Sequence, residues 1–269
     1  MSEEPIHVLS LGAGVQSSVM ALMAARGEIT PMPVAAIFAD TAEPQSVYDW
    51  LDWLETQLPF PVHRIKEKKG LLHHVENGIA NEKFIGVPFY SKGDVDGVGR
   101  RQCTREYKVT PIARKLRELV GLKPRQRSGG VVLARLSIGI SWDEIARQKE
   151  SRDSFYEHRW PLLELQMKRH DCLRWMEKNK YPKPPRSACW FCPYHSNKEW
   201  RHMKDEEPEF FAKAVDMDKR LRNTGRDGSE IYVHPTRVPL GEVDLSTDVE
   251  RGQGVLDLFQ NDCEGYCGC

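Results

Sequence analysis

Apolar and polar positions along this chain switch between a period of two and a period near 3.6. Ile6, Val8, Leu9 and Leu11 form a short apolar run of strand type, followed by Gly12, Ala13 and Gly14. Val15, Val19, Leu22 and Met23 then recur at helical spacing as far as Gly27, so the opening reads as strand, small-residue turn and helix. A second apolar run, 34–39, ends in Asp40-Thr41. The helix after it has Pro44 near its first turn and Val47, Leu51, Leu54 and Leu58 as its buried stripe. Val62 to Ile65 reads as a third strand and leads to a short helical piece around Leu71–Val75. From 77 to 101 the periodicity dissolves into a Gly-containing loop, long enough to suggest a function. Thr110 as N-cap and Pro111 as first helical residue start a helix that runs to about Val120. Val131 to Ile140 reads as a central strand, followed by a helix carrying Arg147, Lys149 and Arg152. Two more helices are expected at about 166–179 and 207–222.

Strands alternating with helices predict an α/β fold, a Rossmann-like parallel sheet with helices on both faces. Ligands of such sheets sit at the carboxyl ends of the strands, where Gly12 and Asp40 fall. The expected division is a nucleotide-binding α/β domain over 1–160 and a mainly helical, Cys-bearing region over 161–269.

An apolar fraction of 40% with 29% charged residues is ordinary for a globular protein. No apolar run reaches the roughly 18 residues a membrane span needs, and no signal-peptide pattern is present. The expectation is a cytoplasmic protein with no membrane partner. Lys+Arg 39 against Asp+Glu 39 leaves no net charge to name a partner. Locally the picture differs. Between Arg100 and Arg127, ten Lys/Arg against two Glu give +8, which suits a solvated helix face or a phosphate-rich substrate, nucleotide or nucleic acid.

The first turn has the chemistry of an anion site, since free N–H groups and the helix dipole converge there. Ser10, Ser17 and Ser18 add hydroxyls. No Lys stands where a Walker A loop needs one, and the spacing is not GxGxxG. A Gly-rich turn without a ligand is the plain alternative.

Seven Cys point to metal, cluster or redox chemistry before structural disulfides. Cys189-x-x-Cys192 brings two thiolates to one centre, and His195 makes a natural start for a zinc site. Cys103 stands beside Arg100, Arg101 and Arg105, where a thiolate is favoured. Cys172 shares a helix face with Leu165 and Met176, which also suits a core position. Cys263, Cys267 and Cys269 end a Gly-containing acidic tail, which reads as a swinging thiol arm, a disordered end or a small metal knot.

Gly12-Ala13-Gly14-Val15-Gln16-Ser17 resembles the PP-loop of the adenine nucleotide alpha hydrolase superfamily, whose usual form is SGGxDS. Gly12 stands for the first Ser and Gln16 for the Asp; Ser17 keeps the last position, and Ser10 is a candidate replacement hydroxyl. Phe38 to Glu43 is similar to the D-T-G element of the PAPS-reductase branch, and Gly139 to Glu144 with Arg147 to its G-x-R/S-x-x-E-x-x-R element. The resemblance implies ATP or a related adenine nucleotide with Mg2+. Its ligands would be Ser10, Leu11, Gly12, Ala13, Gly14, Gln16, Ser17, Ser18, Asp40, Thr41 and Arg147. It also implies a four-iron–four-sulfur cluster on Cys103, Cys189 and Cys192 with Cys172 as fourth ligand, zinc being the alternative. In the tail, Cys263 and Cys267 are candidate catalytic thiols, since reductases of this family end in Glu-Cys-Gly.

The implied activity is adenylation with pyrophosphate release followed by sulfur transfer, with nucleic acid as an acceptor in the DNA phosphorothioation and tRNA thiolation relatives. Reduction of a sulfonucleotide to sulfite is the second enzyme reading. A regulatory nucleotide-binding module with a structural zinc is the third. The partners implied are a sulfur donor or a thioredoxin-like reductant.

Overall fold

The computed structural model describes residues 4–250 except 68, 82, 84, 226–227 and 247–249. Its centre is a five-stranded, all-parallel sheet in the order β3-β2-β1-β6-β7. The strands are β1 (Ile6–Ser10), β2 (Ala35–Ala39), β3 (Val62–Ile65), β6 (Ala134–Ile138) and β7 (Tyr156–Arg159). β1 lies in the middle, paired with β2 through Val8–Ala35 and with β6 through Val8–Leu136. A strand buried on both faces has no polar side to show, and all five residues of β2 are buried.

Helices cover the sheet. α1 (Val15–Ala25) and α2 (Gln45–Glu55) bury Val19, Leu22, Leu51 and Leu54 in one core with Leu9, Ala36 and Phe38. α4 (Thr110–Leu119) closes the other face through Ile112 and Leu116, against Val8, Ile37 and Leu136. α6 (Arg169–Lys178) follows the single-turn α5 (Pro161–Glu164) and packs on α1.

A second core grows from the loop region and the C-terminal part. It joins α3 (Gly70–Ala80) through Leu71 and Val75, then Val87, Phe89 and the Trp190-Phe191 pair, to α7 (Asn197–Glu206) and α8 (Pro208–Leu221). A three-stranded antiparallel sheet, β5-β4-β8, edges it: β4 (Tyr90–Lys92), β5 (Gly97–Val98) and β8 (Glu230–Tyr232). Asp218 on α8 ties this part together from a fully buried position. It accepts the Val233 N–H at 2.8 Å, the Leu240 N–H at 3.1 Å and Arg222 at 2.7 Å.

The α/β class, the first three strands and the parallel sheet read from the periodicity are present. Other expectations give way. The two cores do not divide at residue 160, because α5 and α6 belong with α1, while 71–89 belong with the C-terminal helices. Thr110 is not a cap: a π-helical turn, Arg105–Val109, runs straight into α4, and Thr110 itself has helical dihedrals. After β6 the chain makes only a 3-10 turn, Trp142–Arg147, so Lys149 and Arg152 are not on a helix with Arg147. None of the described helices is long and apolar enough to cross a membrane.

Candidate functional site

The loop Leu11–Gly14 leaves the carboxyl end of β1 and delivers the chain into α1, with Gly14 as a residue that caps without a side chain. The turn is held from within. The Gly12 N–H donates to Ser17 Oγ at 3.1 Å, and the Leu11 N–H donates to the Ile37 carbonyl at 2.8 Å. Ala13 carries φ of 61°, in the left-handed region that costs a non-glycine residue about 1 kcal/mol or more. The residue just after β6 presses on the same spot: a Cβ on Gly139 would stand 2.9 Å from the Ser17 nitrogen. Only glycine lets the two backbones approach this closely. The outcome is the first turn of α1, with its dipole and its N–H groups, fixed at the end of the sheet.

Around that turn lies a polar network that sequence reasoning saw only in part. Gln16 is fully buried. Its amide nitrogen donates to Glu144 at 3.2 Å and Ser141 at 3.4 Å, and its carbonyl accepts from Arg169 at 2.8 Å. Arg147 pairs with Glu144. Arg169 was not singled out from the sequence, where it stands in an ordinary Lys/Arg-rich stretch. Ser10 and Ser17 are at the loop, as expected, each 4% exposed. Ser18 is turned the other way, accepting the Trp50 indole N–H at 3.0 Å within the core.

At the end of β2 the chain turns through Asp40-Thr41-Ala42-Glu43. Asp40 accepts from the Tyr48 hydroxyl at 2.8 Å and pairs with Lys66 at 3.5 Å. Glu43, 1% exposed, accepts both the N–H and the hydroxyl of Thr41, at 2.9 and 2.6 Å, and pairs with Lys108 at 3.6 Å. Thr41 and Lys108 line a cavity of about 40 Å³ together with Arg101, Cys103, Cys189 and Cys192. The Arg101 guanidinium lies over the Tyr194 ring, 5.2 Å from its centre.

Three of the predicted metal-binding thiols thus border one cavity. Cys189 donates a hydrogen bond to Cys192, which holds the Cys192 thiol below its usual range and lifts that of Cys189. The Tyr194 backbone N–H and the nearby Arg186 and Arg101 also favour a Cys192 thiolate against its burial. Burial raises the Cys103 thiol. His195 is buried behind the turn. Its Nε2 donates to the Cys189 carbonyl at 3.0 Å, and burial pushes its pKa down to about 3. That bond occupies one ring nitrogen; the other is buried with no hydrogen-bond partner and 4.0 Å from Glu199.

Cys172 is elsewhere. It is fully buried in the core between α1 and α6, beside Leu162 and Met176, while Cys103 and Cys189 pack against the second core. The four-thiol set Cys103, Cys172, Cys189 and Cys192 therefore does not fit a single cluster, because an apolar helix face took Cys172 inward. Among the described residues no group of three or more ligating side chains closes on one metal position. Cys263, Cys267 and Cys269 lie outside the described residues. No family model matches the chain, and no curated protein is significantly similar to it.

Proposed function

We propose that this chain is an adenine-nucleotide-dependent enzyme of sulfur chemistry, of the PP-loop type, which activates a substrate by adenylation and releases pyrophosphate. One observation carries the reading. The loop that opens α1 leaves the carboxyl end of β1, and the turn Asp40 to Glu43, whose Thr41 lines the three-thiol cavity, leaves the carboxyl end of its parallel neighbour β2, so both stand at the same end of the sheet. A nucleotide and a sulfur-handling centre at one end of one sheet suit a reaction that activates first and transfers sulfur next.

In this reading the phosphates lie on the first turn of α1, and Asp40 with Thr41 borders the nucleoside side. Attack of a substrate oxygen on the α-phosphate expels pyrophosphate. The chain's own contribution is a preorganised field at the departing phosphates from the α1 N-terminus and Arg147. The Cys103, Cys189 and Cys192 thiols serve the sulfur step. For a magnesium ion accompanying the nucleotide, Glu144, which accepts from Gln16 in the first turn of α1, would be a carboxylate at hand.

The test is ATP–pyrophosphate exchange, with Gly14→Asp as the diagnostic variant. Aspartate at this position caps the helix well but sets a carboxylate against phosphate. The expected result is a folded protein that no longer binds ATP. Unchanged affinity would refute the site. Sulfite release from a sulfonucleotide, without exchange, would assign the reductase reading instead.

A further inference from the structure

Cys189 and Cys192 stand at the two ends of one tight turn. The Cys192 N–H donates to the Cys189 carbonyl at 2.9 Å, a bond typical of turns that bring Cα atoms three positions apart to within about 7 Å. A disulfide spans Cα atoms roughly 4.4–6.8 Å apart, so the turn sets the pair near bridging range. The two middle residues hold the turn in place. Trp190 and Phe191 are 6% and 0% exposed in the second core, their rings 4.8 Å apart, while both cysteines stay half-buried at the cavity. The backbone is pinned at each cysteine as well. The Cys189 carbonyl also accepts His195 Nε2 at 3.0 Å, and the Cys192 carbonyl accepts the His195 N–H at 3.2 Å. The two thiols are already in hydrogen-bond contact. Cys103 lines the same cavity from a separate segment, its N–H on the Gly86 carbonyl at 2.9 Å.

We infer that Cys189 and Cys192 are a thiol–disulfide exchange site, which takes the disulfide of a small thiol as its co-substrate. The site goes beyond the nucleotide reading and holds whether or not a nucleotide binds. One thiol of the pair, as thiolate, attacks one sulfur of the incoming disulfide. The sulfur–sulfur bond breaks and one small thiolate leaves with the electron pair, so a mixed disulfide remains on the protein. The second cysteine gives up its proton and attacks the sulfur of the first, closing the Cys189–Cys192 bond and expelling the second small thiolate. The pair has then lost two electrons and two protons, and the incoming disulfide has become two thiols. A dithiol reductant reverses each step. Because the turn is fixed by the core on one side and by His195 on the other, closure needs rotation of two side chains and no new path for the backbone.

The experiment treats the full chain, purified without air and assayed for metal, with glutathione disulfide and maps the products by mass spectrometry. Cys189→Ser and Cys192→Ser are treated beside it. Expected in the wild type are peptides joined through Cys189 and Cys192, no glutathione on either, and two glutathione thiols released for each bond formed. Dithiothreitol should return both protein thiols. In each single variant the remaining cysteine should keep its glutathione, because the thiol that would expel it is gone. Near-UV circular dichroism establishes that the variants fold, and the wild-type map decides even where one does not. A wild type that keeps glutathione on Cys189 or Cys192, that links either one to Cys103, or that does not react would overturn the inference. So would iron or zinc on the pair that has to be chelated before the thiols react, which would make the turn a metal site.

Discussion

The Trp190 N–H donates to the Ala42 carbonyl at 3.1 Å, so the turn carrying Cys189 and Cys192 hangs from the turn that ends β2. Ala42 makes that bond from a left-handed conformation, φ 65°. Relieving the strain with Ala42→Gly should gain at most about 1 kcal/mol, because glycine also loses more chain freedom on folding. Ala42→Val, β-branched and half-buried, should cost roughly 1–3 kcal/mol and loosen the thiol turn with it. Urea unfolding reads the first effect and the alkylation rate of Cys192 the second. A valine variant with wild-type stability would show that the turn has another conformation open to it.

Gly139→Ala tests whether the sheet sets the shape of the turn that opens α1. The new methyl would meet the Ser17 backbone at 2.9 and 3.0 Å, and backbone atoms cannot swing aside. Overpacking of this kind costs roughly 1–3 kcal/mol. Nucleotide affinity should fall further than stability alone explains, since the turn is what moves. Equal thermal stabilisation of variant and wild type by saturating ATP would count against this.

The cysteines should separate by reactivity. In the native protein Cys172 is expected to resist alkylation until the core unfolds, whereas Cys192 and Cys103, at the cavity wall, react first. Cys172→Ala should leave iron, sulfide and zinc content unchanged and lower stability by about 1 kcal/mol or more. Mass spectrometry after timed labelling and metal analysis of anaerobically purified protein check both. Metal lost on mutating Cys172 would reinstate the four-thiol set.

Acid should weaken the C-terminal part first. His234 is buried with Nε2 bonded to Asn197 at 3.0 Å and Nδ1 accepting the Thr236 N–H at 3.3 Å, an arrangement only the neutral ring satisfies. Burial pushes its pKa down to about 4. The unfolded chain, with histidine near 6.5, then binds a proton that the folded chain refuses, so stability is full above pH about 6.5 and falls as pH drops towards 4. His158, also depressed by burial, acts in the same sense. Urea midpoints at pH 7, 6 and 5 should decline, and more shallowly in His234→Gln, which keeps the donor to Asn197. An identical decline in the variant would remove His234 from the account.

The sheet was legible because buried parallel strands are written locally, as in 35–39, where every residue is apolar. The small β5-β4-β8 sheet was not. Its strands are two or three residues long, and β8 comes from 140 positions away, so no local period marks it. α7 was missed because its apolar face is only Trp200 and Met203 among charged residues, although Ser196 and Glu199 form a capping box. At the site, glycines and thiols drew attention by residue type. Arg169 did not, since an arginine becomes informative only once its neighbour in space is known. Cys172 misled for the opposite reason: spacing could not tell a ligand from a core thiol.

Gln16 and Glu144 lie 3.2 Å apart, an amide against an acid. Replacing Gln16 by aspartate would shorten the side chain by one methylene, remove the donor that Glu144 accepts and put a second carboxylate on this side of it. Gln16→Asp alone would lose this bond, and Glu144→Gln beside it would again set a donor against an acceptor. The pair then holds the same single negative charge, now on the helix instead of on the turn after β6. Whichever residue carries it, the bond joins two positions 128 apart, and a motif read at one position cannot express it.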